Sequence, residues 1–400
     1  MDPIYLDNNA TTRVHPEAVA AMLPFFTEHF GNGSSIHAFG EKVGGAIRAA
    51  RREVQALIGA EHDSEVIFTS GGTESNTTAL RSALAADPAR TEIITSTVEH
   101  PAILATLEWM EKHEGVAVHR VPVDRQGRID LDAYRAALSP KTALVSFMWA
   151  NNETGTIFPV EALAELAHKA GALFHTDAVQ AVGKVPVVVK GSDIDMLSLS
   201  GHKLHGPKGI GALYVKRGLR FKPLIRGGHQ ERGRRAGTEN APAIVGLGRA
   251  AAIARAGLTA EMARVAALRD RLETGLIAAI GHCFVTGDLR DRLPNTSTIA
   301  FEFIEGEAIL LFLNREGIAA SSGSACTSGS LEPSHVMRAM EIPFTAAHGA
   351  IRFSLGSETT AAEVDRVLAV MPAIIDRLRE MSPFWTAEGP APQDFAPSYA

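Results

Sequence analysis

The sequence has only two cysteines in 400 residues, Cys283 and Cys326. That is too few for a disulfide framework and suits a reducing compartment. Long hydrophobic runs are missing: the richest, such as TALVSFMWA at 142–150, fall well short of the ~20 residues that span a bilayer. There is no basic excess, because 39 Lys and Arg against 45 Asp and Glu leave a formal net charge of −6. That balance argues against general nucleic-acid binding. The opening MDPIYLDNNATT has neither the basic nor the apolar region of a signal peptide. What is present is ordinary globular material, 46% hydrophobic and 21% charged, in a length beyond one small domain. The expectation is a soluble, cytoplasmic α/β protein with no membrane or nucleic-acid partner.

Short apolar runs at 65–69, 92–96, 116–121, 142–149, 172–176, 196–200 and 211–215 alternate with helical patterns at 72–86, 100–112, 130–137 and 160–169. Strands recurring between helices imply crossover connections and a mainly parallel sheet, with functional groups on loops beyond the strands' carboxyl ends. After residue 257 the texture changes to a helical pattern at 259–280, strands at 296–303 and 350–354, and helices at 307–316 and 361–378. We therefore expect a large domain over 16–257 and a smaller α+β domain formed by 1–15 and 258–382. The proline-rich 383–400 reads as a loose tail.

Three loops carry chemistry. SLSGHKLHGPKGIG at 198–211 holds Lys203 in a turn of glycine, serine and histidine, suited to a phosphate or a carbonyl. The spacing is not that of a P-loop, and no G-x-G-x-x-G dinucleotide fingerprint is present, which disfavours an NAD enzyme. FHTDAVQ at 174–180 puts Asp177 at a strand exit, where a carboxylate either caps a helix or keeps a pyridinium nitrogen protonated. SGGTESN at 70–76 joins a strand to a helix through paired glycines, an anion site of low specificity by itself. The two cysteines differ in setting. Cys283 (IGHCFV) lies in an apolar strand-like run and reads as a packed thiol. Cys326 lies among small polar residues, SSGSACTSGS, with no second Cys or His at metal-ligand spacing, and reads as an accessible loop thiol.

These motifs, with DNNATT at 7–12, FGNGSSIH at 30–37, TSTVEHP at 95–101, WANNETG at 149–155 and GGHQERGRRAGTEN at 227–240, resemble the fold-type I pyridoxal-phosphate enzymes. Within them the chain is most similar to the cysteine desulfurases of the nitrogen-fixation (NifS-type) branch, from Tyr5 to about Trp385. The resemblance implies that Lys203 holds pyridoxal 5'-phosphate as an internal aldimine. It implies that Asp177 pairs with the pyridine nitrogen, Gln180 bonds the phenolic oxygen, and His100 stacks on the ring and assists proton transfer. Gly72, Thr73, Ser200 and His202 would hold the phosphate. Thr238 would reach it from a partner subunit, so a homodimer is implied. Asn152 and Arg352 (in AIRFS) would orient the carboxylate of L-cysteine. Cys326 would accept its sulfur as a persulfide, leaving alanine, and pass the sulfur to an iron–sulfur scaffold protein in nitrogenase maturation. No resting metal is implied, although Cys326 could transiently ligate a nascent cluster through its persulfide. A selenocysteine lyase or an aminotransferase would keep Lys203 and Asp177 without depending on Cys326. A non-catalytic sulfur carrier would use Cys326 alone. The arginines at 226, 232, 234 and 235 read as salt-bridging or phosphate-approaching groups.

Overall fold

The computed structural model describes residues 3–322, 332–386 and 388–391. The chain opens with β1 (Ile4–Tyr5), α1 (Pro16–Met22), α2 (Pro24–Thr27) and α3 (Ala38–Leu57). Strands and helices then alternate: β2 (Val66–Thr69), α4 (Gly72–Ala86), β3 (Glu92–Ser96), α5 (Pro101–Glu114), β4 (Ala117–Val121) and α6 (Leu131–Ala137). They continue through β5 (Thr142–Met148), α7 (Val160–Lys169), β6 (Leu173–Asp177), β7 (Met196–Ser200) and β8 (Gly211–Val215). These strands form one sheet in the order β2-β8-β7-β6-β5-β3-β4. It is parallel from β7 to β4, and only β8 runs antiparallel, to both β2 and β7. Every residue of β5, β7 and β8 is buried, the pattern of strands covered on both faces. The mainly parallel α/β sheet expected from the alternation is the one formed.

One helix, α8 (Ala241–Ala279), leads on to β9 (Cys283–Thr286), β10 (Thr296–Phe301), α9 (Gly306–Arg315), β11 (Ile318–Ala319) and β12 (Ser321–Ser322). Then come α10 (His335–Ala339), α11 (Phe344–Ala347), β13 (Ala350–Ser354) and α12 (Ala361–Met381). A second sheet has the order β12-β13-β10-β9. It backs a separate apolar core built on Leu272, Leu276, Phe301, Leu313, Ile351, Phe353 and Met371. β1 joins this part of the molecule by pairing in parallel with β11. The change of texture expected at 257 and 258 falls inside α8, with no linker between the two cores. The tail is also different from expectation. Trp385 and Thr386 pair with Pro390 and Gly389 as β14 (Trp385–Thr386) and β15 (Gly389–Pro390). The Trp385 ring lies under the Arg379 guanidinium at 4.3 Å and beside His282 and Phe303, so β14 docks against α12 and the loops next to β9 and β10. Aromatic and cation–π contact outweighs the loose composition there.

α8 is long and apolar enough to cross a membrane by length and composition. In the fold it packs on α3 and α1, and its Arg249 and Arg255 pair with Glu17 and Glu53. The close approach depends on Gly248, where a Cβ would stand 2.5 Å from Ala50 Cα and 2.6 Å from its Cβ. Alanine in place of a helical glycine normally gains about 1 kcal/mol. Here overpacking, at about 1–3 kcal/mol, outweighs it. Gly248→Ala should lower the thermal unfolding temperature of the apoprotein. A raised unfolding temperature would show that the helices part freely.

The loop between β3 and α5 is tied to the sheet by Glu99, whose Oε1 accepts from Ser96 Oγ at 2.7 Å and Met148 N at 2.9 Å. Burial pushes its carboxyl up to about 8 from 4.5, partly offset by those two donors. A carboxyl raised in the folded state binds its proton there while the unfolded chain has released it, so stability falls as pH rises from about 4.5 through about 8. Glu99→Gln keeps the acceptor and removes the ionisation. The variant should lose part of that alkaline decline and be more stable than the parent above pH ~8, on the order of 1 kcal/mol or more. Chemical unfolding across pH 5–9 measures it, and parallel pH curves for the two proteins would refute it.

Candidate active site

The functional loops leave the carboxyl ends of β2, β3, β5, β6 and β7. Asp177 closes β6, almost fully buried; its Oδ1 accepts from Val179 N at 3.0 Å and its Oδ2 from Asn76 Nδ2 at 2.6 Å. Asn76 lies in α4, whose first residue is Gly72. A Cβ on Gly72 would stand 2.8 Å from Val179 Cγ2, so glycine lets the helix start close against the loop that follows Asp177. Gly71, at φ 155°, turns the chain into that helix. The first N–H groups of α4 have no partner within the helix and carry the positive end of its dipole. Exposed Thr73 sits on this first turn, and Ser200 Oγ lies 3.8 Å from where a Cβ of Gly71 would be. Gly72, Thr73 and Ser200 therefore gather at one cup.

His202 and Lys203 follow Ser200 in a short turn. The His202 carbonyl accepts from Thr12 N and Oγ1, both at 2.9 Å, and its ring Nδ1 lies 3.1 Å from Thr11 Oγ1. Burial, with the nearby charges of Lys203, Lys208 and Lys184, brings the ring down to about 4, so it is neutral at pH 7. Lys203 Nζ donates to the carbonyl oxygens of Asn9 at 2.5 Å and Ala10 at 2.7 Å. His100 caps α5, its Nδ1 accepting from Ala102 N at 3.0 Å, which puts the proton of the neutral ring on Nε2. Desolvation lowers this imidazole, against the attraction of Asp177 and with the repulsion of Lys203.

Gln180 Nε2 donates to the Asn9 carbonyl at 2.9 Å, and its Oε1 accepts from Lys184 Nζ at 2.6 Å. Arg352, from β13, donates through Nη2 to Asp7 Oδ1 at 2.8 Å and through Nη1 to the Asn152 carbonyl at 3.0 Å. Its Nε is buried and has no hydrogen-bond partner among the described residues. A cavity of about 630 Å³ opens beside Lys203 and Lys184, walled by Leu204, Ile253, Met262 and Leu355.

Thr238 is exposed on the loop over 227–240. That loop is pinned by a buried fork in which Arg51 Nη1 and Nη2 meet the Glu231 carboxylate at 2.6 Å each, with Phe68 N donating to it at 3.0 Å. Glu231 and Arg232 take left-handed φ values of 49° and 60°, which this clamp sustains. Arg235 meets Glu74 Oε1 at 2.9 Å, so the loop is fastened to the first turn of α4. Cys326 lies outside the described residues. Cys283 is half-buried at the start of β9, its Sγ donating to the Ile280 carbonyl, with burial pushing the thiol up. Sequence reasoning assigned nothing to Asn9, Asn76 or Lys184. Asn9 and Asn76 stand inside DNNATT and SGGTESN, so the motifs were visible but their contacts were not.

The donor set suits a phosphorylated pyridine aldehyde: a helix N-terminus with hydroxyls and a neutral imidazole for the phosphate, and a carboxylate at a strand exit for the ring nitrogen. Residues 4–367 match the model of the aminotransferase class-V family. The chain is 68% identical over 400 residues to the cysteine desulfurase of Gluconacetobacter diazotrophicus, covering 100% of both chains. It is 62% identical over a 402-residue alignment to the cysteine desulfurase NifS of Azotobacter vinelandii, again covering 100% of each. Among solved structures, a NifS-like protein superposes with a TM-score of 0.88 at 37% identity, over 94% of this chain and 100% of that one. SspA in complex with cysteine superposes with a TM-score of 0.77 at 34% identity, over 88% and 98%. A chain so alike over its whole length belongs to the aminotransferase class-V family, among the members named cysteine desulfurases.

Proposed function

We propose that this protein is a pyridoxal-phosphate-dependent cysteine desulfurase, converting L-cysteine to L-alanine and supplying the sulfur to iron–sulfur cluster assembly, with nitrogenase maturation as the process served. The observation that carries the reading is the Asp177–Asn76 bond, which ties the strand-exit carboxylate to the helix that begins at the glycine cup, on the same side of the sheet as Lys203. Bound there, pyridoxal phosphate supplies an electron sink for a substrate carbanion.

Gly72, Thr73, Ser200 and His202 would hold the phosphate, and Asp177 would pair with the ring nitrogen. Gln180 would donate to the phenolic oxygen, and His100 would stack on the ring. Lys203 anchors the cofactor and takes the α-proton of cysteine, while the Nε2–H of His100 serves later proton transfers. Arg352, supported by Asp7, offers its unpartnered Nε to the substrate carboxylate beside Asn152. Cys326 Sγ then attacks the substrate sulfur. An S–S bond forms as the C–S bond breaks, and the bonding pair stays with the carbon skeleton that leaves, after protonation, as alanine. The persulfide is handed to a scaffold protein, with a nascent cluster able to engage it there. Thr238, exposed on the clamped loop, completes the phosphate site of a second copy, which makes the working unit a homodimer.

Purified enzyme given L-cysteine and an excess of a reducing thiol, which is oxidised to its disulfide as the persulfide is cleaved, should yield alanine and sulfide in equal amounts; without added reductant, Cys326 should carry one extra sulfur in its peptide by mass spectrometry. Cys326→Ala should keep the visible absorbance of the bound cofactor and release no sulfide. Sulfide release at the parent rate by that variant would exclude the mechanism. Asp177→Asn should retain cofactor yet lose ~10²–10³ in kcat, the usual cost of one preorganised electrostatic partner. Near-parental turnover would reduce Asp177 to a structural cap.

A further inference from the structure

Lys184 has no part in the reaction as described, yet its ammonium end lies in the middle of the site. It stands four residues after Gln180 and donates to two side-chain oxygens, Gln180 Oε1 at 2.6 Å and Asn9 Oδ1 at 3.0 Å. A primary-amide side chain has a donor edge and an acceptor edge, and its neighbours decide which faces where. At Gln180 two neighbours agree. The Asn9 carbonyl can only accept, so it requires the amide nitrogen. Lys184 can only donate when protonated, so it requires the amide oxygen. Gln180 Nε2 and Lys203 Nζ converge on that same Asn9 carbonyl, which turns the donor edge of the amide toward the catalytic lysine.

We propose that Lys184 is a positioning residue that fixes the Gln180 amide with its N–H edge facing the cofactor's phenolic oxygen. This rests on the assignment of Gln180 to that oxygen made above. Without the lysine, Gln180 Oε1 would lose its donor, and nothing beyond the Asn9 carbonyl would oppose a flip that presents an acceptor to an oxygen already rich in charge. The charged and titratable neighbours are Lys203, Arg352 with its partner Asp7, His202 and His205. Desolvation first, then Lys203 and Arg352, draw the Lys184 amine well below its ordinary value. A neutral amine still has two N–H groups for its two acceptors, so the orienting bond survives loss of the charge.

The test reads the bound cofactor by its absorbance in the holoenzyme without substrate. A donor to the phenolic oxygen favours its ionised form and lowers the pH midpoint of the visible absorbance change. Lys184→Met, close in volume and without a donor, should raise that midpoint by about 0.5–1 unit, the equivalent of one ordinary hydrogen bond. Lys184→Gln, which restores a neutral donor, should return it most of the way. Gln180→Ala should raise it as Lys184→Met does, and the double variant should shift no further than Gln180→Ala alone. If Lys184→Gln moves the midpoint as far as Lys184→Met, the effect is charge and the proposal is overturned. If Gln180→Ala shifts the midpoint and Lys184→Met does not, the proposal falls while the Gln180 assignment stands. If Gln180→Ala shifts nothing, the assignment itself fails and takes the proposal with it. Gln180→Glu keeps the acceptor facing Lys184 and removes the donor edge, so it too must raise the midpoint. An unshifted value overturns the proposal even if no Lys184 variant folds.

Discussion

Asn9 is the point on which the site's geometry depends. Its backbone N–H donates to Ser354 Oγ, its side-chain nitrogen to the Asn152 carbonyl and Thr296 Oγ1, and its side-chain oxygen accepts from Lys184 and Asn295. Its own carbonyl receives both Gln180 and Lys203. One buried residue thereby touches the second sheet through β10 and β13, the loop after β5, and the groups around Lys203. The segment around it continues the same work: Asn8 N bonds the Ser354 carbonyl, and Thr12 bonds the His202 carbonyl by both N and Oγ1. Ahead of it, Ile4 and Leu6 are buried in the second core and β1 pairs with β11, so the segment enters the site already anchored. The strap is kept by satisfied polar groups in a buried setting, where each unpaired donor or acceptor would cost about 1–3 kcal/mol.

On the other side of the site the constraint is electrostatic. Arg51 and Glu231 form a buried fork, and such pairs add little net stability because desolvation offsets their attraction. Their effect here is on conformation: the fork holds two consecutive left-handed residues, and Arg235 then ties the same loop to α4 through Glu74. The cup at Gly72 and the loop bearing Thr238 are consequently parts of one clamped unit.

Much of this was legible in the sequence, for reasons that can be named. β5 and β8 are mostly apolar runs and β7 (MLSLS) is a short run broken only by small serines, all bounded by turn residues, so their existence and the parallel sheet followed from pattern. Asp177, Lys203 and the glycine cup were legible because each stands directly after such a run, where an α/β sheet places its chemistry. The continuity of α8 was not, since Gly246, Gly248 and Gly257 weaken helical propensity and only the approach of α3 and α1 explains two of them. The docking of β14 was hidden because the contacts of the Trp385 ring with Arg379, His282 and Phe303 overrode a proline-rich composition. Asn9, Asn76 and Lys184 escaped for a different reason. Their partners lie 143, 101 and 175 residues away or sit beside them on a strand exit, and no local spacing encodes such a bond.

The distribution of charge in the site follows from the same burial. His202 is drawn down to about 4, and His100 and Lys184 are lowered by desolvation before any neighbour acts. The two imidazoles thus contribute dipoles and N–H donors as neutral rings at pH 7, and Lys184 holds its proton less tightly than an ordinary lysine. An anion in the cup beside Gly72 would meet helix N–H groups, hydroxyls and neutral imidazole, a set that binds phosphate without placing fixed positive charge against the lysine. The guanidinium of Arg352 is balanced by Asp7 and faces the Asn152 side of the site. A dipolar anion cup and an ion-paired guanidinium are therefore kept apart. On the function proposed above, that separation would let a doubly anionic cofactor and a substrate carboxylate sit on either side of one lysine without sharing its counter-charges.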